Sequence, residues 1–246
     1  MTALAPLPGC FVTGTDTEVG KTRISAALLH WCTQQGWRSA GFKPVAAGTS
    51  LINGQWVNDD VRTLRDASSL VLTDAEVGPL QFEAACAPHI AAALQEQTID
   101  RTFLLRSAHA LAARADVLVV EGVGGFCVPM GADWDSVDLA VDLHLPVVLV
   151  VGLRLGCINH ALLTAQAVRA CGLQLAGWVG NVITPDMPWL DENVATLRQR
   201  LQRQGSPCLG IVPYLPDPTP AAVALHLDGA ALHTIFTATS SFLAST

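Results

Sequence analysis

One short segment limits the possible folds of this 246-residue chain more than any other. Its sequence is Gly-Thr-Asp-Thr-Glu-Val-Gly-Lys-Thr, from Gly14 to Thr22, and it lies between a short apolar run and a helical pattern. A loop that ends in Gly-Lys-Thr at a helix start typically binds phosphate. Backbone N–H groups and the helix N-terminus face the anion, the lysine reaches the terminal phosphates, and the threonine hydroxyl ligates Mg²⁺. Although five residues rather than the usual four separate Gly14 from Gly20, the segment predicts a phosphate-binding loop.

Apolar runs and helical patterns alternate along the rest of the chain. The predicted strands are Cys10 to Thr13, Ser39 to Lys43, Asp116 to Val120, Val147 to Val151, Ala176 to Val182 and Leu209 to Val212. The predicted helices are Thr22 to Gln35, Arg101 to Ala115, Val137 to Leu143, Asn159 to Cys171 and Leu190 to Gln204. This alternation indicates the α/β class, with a mainly parallel, doubly wound sheet and helices on both faces. No repeat or linker interrupts it, so we expect a single P-loop domain over residues 1–246.

Composition excludes several functional classes. Half of the residues are hydrophobic, 14% are charged, and the formal net charge is −7, which argues against a disordered tail and a polybasic nucleic-acid binder. The 7 cysteines never form a CxxC pair, so we expect reduced thiols rather than a zinc site or disulfides. Met1 to Pro8 lacks a basic region, and the run from Leu145 to Leu153 contains a proline, so neither predicts a signal peptide or a membrane span. We therefore expect a cytoplasmic protein with neither nucleic acid nor membrane as a partner.

The lysines are the next clue. Of the 14 basic residues only Lys21 and Lys43 are lysines, and the rest are arginines. Lys21 belongs to the phosphate-binding loop, and Lys43 ends the second predicted strand, where Pro44 favours an extended backbone. Ligands of parallel α/β sheets bind at the carboxyl ends of strands, where a compact ammonium is not interchangeable with a guanidinium. We expect both lysines in one site; the alternative for Lys43 is an ordinary surface lysine.

Further motifs give the chain a family resemblance. Phe-Lys-Pro-Val at 42–45, Glu-Gly-Val-Gly-Gly at 121–125, Leu-Gly-Cys-Ile-Asn-His at 155–160 and Gly-Trp-Val-Gly-Asn at 177–181 follow the loop in order. Together they resemble dethiobiotin synthetases from about residue 9 to about residue 215. The resemblance implies ATP- and Mg²⁺-dependent carboxylation of 7,8-diaminononanoate with CO2 and closure of a ureido ring. A carbamate and then a carbamoyl-phosphate mixed anhydride would be the intermediates.

The resemblance also implies roles for individual residues. The catalytic residues would be Lys43, Lys21 and Thr17. The metal ligands would be Thr22, Asp60 and Glu121, with Asp59 as the rival of Asp60. The ATP-binding residues would be Glu18, Val19, Gly20, Lys21, Thr22, Arg23, Asp60, Glu121, Gly122, Val123, Gly124, Asn181, Pro213, Tyr214 and Leu215. Ala47 would contact the substrate, and Gly156, Cys157, Ile158 and Asn159 would bind its carboxylate across the interface of a homodimer.

The sequence departs from the family at two places. Ala47 stands where the family has a serine or threonine, and Thr49 is the candidate replacement. The proline-rich segment from Pro216 to Pro220 replaces an expected acid, which leaves nucleotide selectivity open. The role of residues 221–246 is open as well. In contrast to partitioning-type ATPases, the loop has no extra lysine near its start.

Two alternative functions are weighed beside the synthetase. An amidating cobyrinate-type synthetase would need a glutaminase domain, for which 246 residues leave no room. A degenerate paralogue that acts as a nucleotide-binding switch is the other, motivated by Ala47 and the missing acid.

Overall fold

The fold is built on a parallel sheet, as seen in a computed structural model that describes residues 7–52 and 54–243. The sheet strands are β1 (Gly9–Gly14), β2 (Ser39–Phe42), β7 (Val117–Glu121), β8 (Val147–Leu153), β9 (Leu175–Val182) and β10 (Cys208–Val212). They are ordered β10-β9-β8-β1-β7-β2, and every neighbouring pair is parallel. All residues of β1, β2, β7, β8 and β9 are buried, as expected for strands that are covered on both faces.

The strand order reverses at β1. From β1 the chain crosses to β2 at one edge, returns to β7, and then continues to β8 on the other side of β1. Because parallel crossovers are right-handed, this reversal places helices on opposite faces of the sheet. The crevice for ligands is therefore expected beside the carboxyl end of β1, which is where the phosphate-binding loop begins.

Helices connect the strands. They are α1 (Lys21–Gln34), α2 (Asp59–Ala67), α3 (Asp74–Val77), α4 (Pro88–Leu94), α5 (Arg101–Ala112), α6 (Ser136–Leu143), α7 (Cys157–Ala170), α8 (Leu190–Gln202), α9 (Pro220–Ala224) and α10 (Gly229–Leu243). In α1, Ile24, Ala27, Leu28 and Cys32 are fully buried, because their spacing places them on one helix face. That face packs on β7 and β2 and so fixes the helix start beneath the loop.

Two small sheets occupy the stretch between β2 and β7. β3 (Val45–Ala47) pairs in parallel with β6 (Leu80–Phe82), and β4 (Ser50–Ile52) forms an antiparallel hairpin with β5 (Gln55–Val57). The base of this hairpin is held by Asn58, whose side-chain Nδ2 donates to the Gly48 carbonyl at 2.9 Å. Asn58 also caps α2 through its Oδ1, which accepts the Val61 N–H at 3.1 Å. The insert therefore places the first turn of α2 against the end of the main sheet.

The predicted fold class is confirmed, and each predicted strand and helix lies within three residues of an observed element at either end. The elements β3 to β6, α2 to α4, α9 and α10 have no counterpart among the predicted strands and helices. The last two account for most of residues 221–243. Residues 1–6 and 244–246 lie outside the described part, as does most of the N-terminal segment for which no signal peptide is predicted. Among the described residues, no helix is both long and apolar enough to cross a membrane.

Candidate active site

Three strands end, and one helix begins, at the same edge of the sheet. β1 leads into the phosphate-binding loop, Lys43 directly follows β2, and Glu121 is the last residue of β7. Asp60 comes from the first turn of α2, which the insert brings to the same edge. The polar groups that sequence analysis places at strand ends are therefore neighbours in space.

The phosphate-binding loop has a tightly constrained backbone. Gly20 has φ 92°, and a Cβ atom there would lie 2.3 Å from the Asn181 Nδ2 atom, so only glycine fits. Asn181 in turn donates from Nδ2 to the Val19 carbonyl at 2.9 Å. Glu18 also has a positive φ, 59°, which is uncommon for a residue with a side chain and indicates backbone strain of the kind found at functional sites. The Lys21 ammonium donates to the Asp16 carbonyl at 3.0 Å, across the loop.

Lys43 is the centre of a buried ionic network. Only 2% of the residue is exposed. Its Nζ lies 2.5 Å from Glu121 Oε1 and 2.8 Å from Asp60 Oδ2, and it also donates to the Gly122 carbonyl at 3.2 Å. A buried charge is tolerated only when it is paired, and these carboxylates pair the ammonium. The interpretation of Lys43 as a surface lysine is therefore wrong.

Thr22 joins the same network. Its hydroxyl lies 2.7 Å from Asp60 Oδ1 and 2.8 Å from Glu121 Oε1. Asp59, the rival of Asp60, is exposed, and the hydrogen bonds of the network are made by Asp60 instead. The structure thus brings Thr22, Asp60 and Glu121 together and leaves Asp59 outside.

These three residues fit a magnesium ion. One oxygen of Glu121, Oε2, is buried and has no hydrogen-bond partner, so it can accept a further ligand. Mg²⁺ takes one or two carboxylates together with waters and phosphate oxygens rather than an all-protein cage. Among the residues described, no group of three or more His, Cys, Asp and Glu side chains is arranged to hold a metal.

Charge pairing shifts the pKa values in the network. Burial alone would lower the pKa of Lys43, but Glu121 and Asp60 outweigh it and raise that pKa above its ordinary value. Burial would likewise raise the pKa of Asp60, but the Lys43 ammonium holds it below its ordinary value. Lys21 differs, because burial and the neighbouring charge of Lys43 lower its pKa to about 8. One lysine is therefore firmly charged and the other is close to titration at neutral pH.

Three residues of the network, Thr22, Lys43 and Asp60, line an open cleft of about 910 Å³, whereas Glu121 is fully buried and is not part of the lining. The predicted site residues that line this cleft are Thr17, Glu18, Gly20, Lys21, Thr22, Arg23, Lys43, Ala47, Asp60, Val123, Gly124, Asn181 and Tyr214. The cleft is also lined by residues that the sequence did not predict. They are the small-residue segment Ala85, Cys86, Ala87 and Pro88, and the apolar residues Val128, Val182 and Ile183. Small apolar side chains carry no chemical signal, so only their position in the fold reveals them.

One end of the cleft is suited to a base. Asn181 is buried, and its Oδ1 has no hydrogen-bond partner, which leaves an acceptor for an amino group. Tyr214 lines the cleft and is 44% exposed. The other two residues of its segment, Pro213 and Leu215, flank it outside the lining, and Val19 and Gly122 lie buried behind the wall.

The predicted carboxylate-binding segment lies elsewhere. Gly156, with φ 94°, precedes α7, and Cys157, Ile158 and Asn159 form its first turn. None of these residues lines the cleft of the same chain. Gly156 and Asn159 are exposed, and the neighbouring Leu155 is 95% exposed.

The region of Ala47 lacks a hydroxyl that faces the cleft. Ala47 lines the cleft, whereas Thr49 does not. The Thr49 Oγ1 is buried and has no hydrogen-bond partner. In this structure Thr49 therefore does not present its hydroxyl where the Ala47 side chain lies.

The chain is similar to several known proteins. A family model described as an AAA domain matches residues 9–222. The chain is 50% identical over 223 residues to the ATP-dependent dethiobiotin synthetase BioD of Janthinobacterium sp. (strain Marseille), covering 89% of this chain and 93% of that protein. Among solved structures, the MinC:MinD cell division protein complex of Aquifex aeolicus matches with a TM-score of 0.50 at 15% identity, over 97% of this chain and 96% of that chain. The last match supports the P-loop fold alone.

Proposed function

Because this chain belongs to the family of ATP-dependent dethiobiotin synthetases, we propose that it joins CO2 to 7,8-diaminononanoate and closes the ureido ring of dethiobiotin at the expense of ATP. Membership makes the chain an ATP-dependent ligase of biotin synthesis. The identity of the substrate, the requirement for Mg²⁺ and the roles of individual residues are what we propose beyond family membership. We place the reaction in the cytoplasm.

The observation that carries the proposal is the arrangement of two ammonium groups around one cleft. Lys21 comes from the loop and Lys43 from the end of β2, and both line the cleft beside Thr22 and Asp60. Phosphoryl transfer needs positioning and neutralisation of oxygens rather than a protein nucleophile. Lys21 and Lys43 are the only lysines among the 14 basic residues of the chain, and their compact ammonium groups are suited to neutralising phosphate oxygens.

The proposed reaction has three steps. One amine of the substrate attacks CO2 and loses a proton, which gives a carbamate. A carbamate oxygen then attacks the γ-phosphorus of ATP, and the bond to the ADP oxygen breaks. Finally the second amine attacks the carbonyl carbon of the mixed anhydride, loses a proton, and expels inorganic phosphate as the ring closes.

The side chains of the site would mainly assist the second step, in which the γ-phosphoryl group is transferred to the carbamate. Lys21 would bind the β- and γ-phosphates, while Lys43 would neutralise charge on the transferring phosphoryl group and the carbamate. Thr17 lines the cleft beside them and would contact the reacting groups. Thr22, Asp60 and Glu121 would hold Mg²⁺, which supplies charge neutralisation at the phosphate oxygens when bound. Asn181, Tyr214, Pro213 and Leu215 would receive the adenine, and Ala47 would border the amines.

The substrate carboxylate would bind at the start of α7. Helix N-termini bind carboxylates through free N–H groups and the helix dipole. Since this segment does not line the cleft of its own chain, we propose that it serves the cleft of a second copy in a homodimer. Leu155, two residues before α7, is 95% exposed, and Leu163, within α7, is 55% exposed, which supports a surface that a partner covers.

Turnover of the defined substrates tests the proposal. Purified protein is incubated with ATP, Mg²⁺, bicarbonate and 7,8-diaminononanoate, and products are measured by mass spectrometry with ¹³C-bicarbonate as label. We expect dethiobiotin with one labelled carbon and one ADP for each ring closed. A Lys43→Ala sample is the matched blank.

The result also separates the alternatives. ATP binding without labelled dethiobiotin would contradict the proposal and favour a nucleotide-binding switch. Release of ammonia from added glutamine would instead favour the amidating type of synthetase.

A further inference from the structure

The phosphate-binding loop contains an acidic residue, whose negative charge has the same sign as that of the proposed phosphate ligand. Asp16 lies in the loop, only five residues before Lys21. A carboxylate near bound phosphates repels them, because like charges raise each other's energy. An uncompensated charge on Asp16 would therefore weaken the binding of ATP.

The structure shows how this charge is held. One carboxylate oxygen of Asp16, Oδ1, accepts the Thr17 N–H at 2.8 Å, and its main-chain carbonyl accepts the Lys21 ammonium at 3.0 Å. The other carboxylate oxygen, Oδ2, accepts a hydrogen bond from Arg154 Nη2. Both carboxylate oxygens are thus engaged.

Arg154 comes from a different part of the chain. It directly follows β8 and precedes Gly156, and its carbonyl accepts the Cys157 N–H at 3.0 Å in the first turn of α7. Its guanidinium reaches the loop across 138 positions of sequence. The mechanism proposed above assigns it no role.

We propose that Arg154 is a positioning residue of the ATP site, which neutralises Asp16 and keeps its carboxylate directed away from the bound phosphates. The proposal rests on the proposed ATP-dependent function. It predicts that loss of Arg154 weakens ATP binding because the charge of Asp16 is left unneutralised. Removing that charge as well should therefore restore the Kd of ATP.

An ordinary surface ion pair is the alternative explanation. The two side chains are 44% and 46% exposed, and exposed pairs contribute little to stability. Asp16 belongs to the phosphate-binding loop, although neither it nor Arg154 lines the cleft. The pair of Arg38 and Asp116 is similarly exposed, at 60% and 43%, and neither of its residues belongs to the loop. It provides a matched control.

The test measures the Kd of ATP, ADP and AMP by titration calorimetry in the presence of Mg²⁺. Variants are Arg154→Gln, Asp16→Asn, the double variant, Arg154→Lys, and Arg38→Gln as control. Asparagine at 16 keeps an oxygen for the Thr17 N–H and loses only the charge.

We expect Arg154→Gln to raise the Kd of ATP about three- to tenfold, as one partly screened charge would. The increase should be smaller for ADP and smallest for AMP, since the repulsion grows with phosphate charge. Asp16→Asn, the double variant and Arg154→Lys should all bind ATP with a Kd within about twofold of the wild-type value. The control Arg38→Gln should change neither the Kd nor kcat by more than about twofold.

Two results would overturn the inference. An unchanged Kd in Arg154→Gln would make the contact an ordinary surface pair. A double variant as weak as Arg154→Gln would mean that Arg154 acts independently of Asp16. Formation of labelled dethiobiotin by the wild type is scored separately, so failure of the proposed function would be distinguished from failure of this inference.

Discussion

The phosphate end of the cleft and the start of α7 are built in opposite ways. At the phosphate end Lys43 and Glu121 are buried and paired, with Nζ and Oε1 2.5 Å apart. At the start of α7 Gly156 and Asn159 are exposed and do not line the cleft that the described residues of the same chain form. The buried ionic network is assembled within one chain, whereas the groups that we propose for carboxylate binding lie outside the cleft of that chain.

Physical chemistry explains the difference. Charges buried in a low-dielectric interior must meet their partners when the chain folds, so the phosphate end has to assemble within the fold. A helix N-terminus tolerates exposure because water satisfies its N–H groups. The comparison teaches that catalysis would be organised by the subunit, whereas recognition of the substrate's far end would depend on assembly.

The largest expected effect comes from the buried region. Lys43→Ala should lower kcat about 100- to 1000-fold, because a charge that stabilises the transferring phosphoryl group is lost. The Kd of ATP should stay within about threefold, since Lys21 and the loop remain. Steady-state kinetics and calorimetry check both values.

Lys43→Arg serves as the control for charge. It keeps a positive partner for Glu121, so the fold should melt close to the wild-type temperature. We nevertheless expect a large loss of kcat, because a planar guanidinium does not replace a compact ammonium among converging oxygens. A rate near that of the wild type in Lys43→Arg would contradict the role given to Lys43.

The pH dependence of ATP binding tests the other lysine. Because the pKa of Lys21 is lowered to about 8, its ammonium is present below that pH and is lost as the pH rises through it. The Kd of ATP should therefore increase above about pH 8, by at most about tenfold per pH unit. In Lys21→Arg the charge does not titrate, so this rise should disappear even if binding is weaker. A wild-type Kd that stays flat up to about pH 9.5 would contradict the assignment.

The smallest effect concerns the missing hydroxyl. Ala47→Ser should lower the KM of the diamine about two- to fivefold, which corresponds to one hydrogen bond of modest net strength. Thr49→Val, a matched change two residues away, should leave KM unchanged because the Thr49 hydroxyl is buried and Thr49 does not line the cleft. A raised KM in Thr49→Val would show that Thr49 supplies the contact after all.

Much of this arrangement could be predicted from sequence, for identifiable reasons. The main strands are continuous apolar runs and the long helices have clear periodicity, so local pattern determines them. Lys21 and Thr22 belong to a motif whose spacing fixes their geometry. The prediction of Asp60 rather than Asp59 depends on family resemblance, because the sequence alone does not distinguish two adjacent acids. In the structure, α2 exposes Asp59 to solvent and directs Asp60 into the site.

The missed parts lack such a local signal. β3 has three residues, and only Val61 and Leu64 of α2 are buried, so neither gives a readable period. Cys86 and its neighbours line the cleft only because β6 pairs with β3, a contact distant in sequence. The contact of Arg154 with Asp16 depends on the parallel pairing of β8 with β1, which brings the two loops together.

The contrast between the two regions is tested most directly by subunit complementation. Lys43→Ala and Asn159→Asp chains, each expected to be nearly inactive alone, are coexpressed with different tags and assayed for labelled dethiobiotin. Asp at 159 repels the substrate carboxylate but suits the first turn of a helix. If each cleft takes its α7 start from the other subunit, mixed dimers contain one intact site, and the mixture should recover about a quarter of wild-type activity. If the site is built within one chain, every site carries a lesion, and the absence of recovered activity would contradict the account.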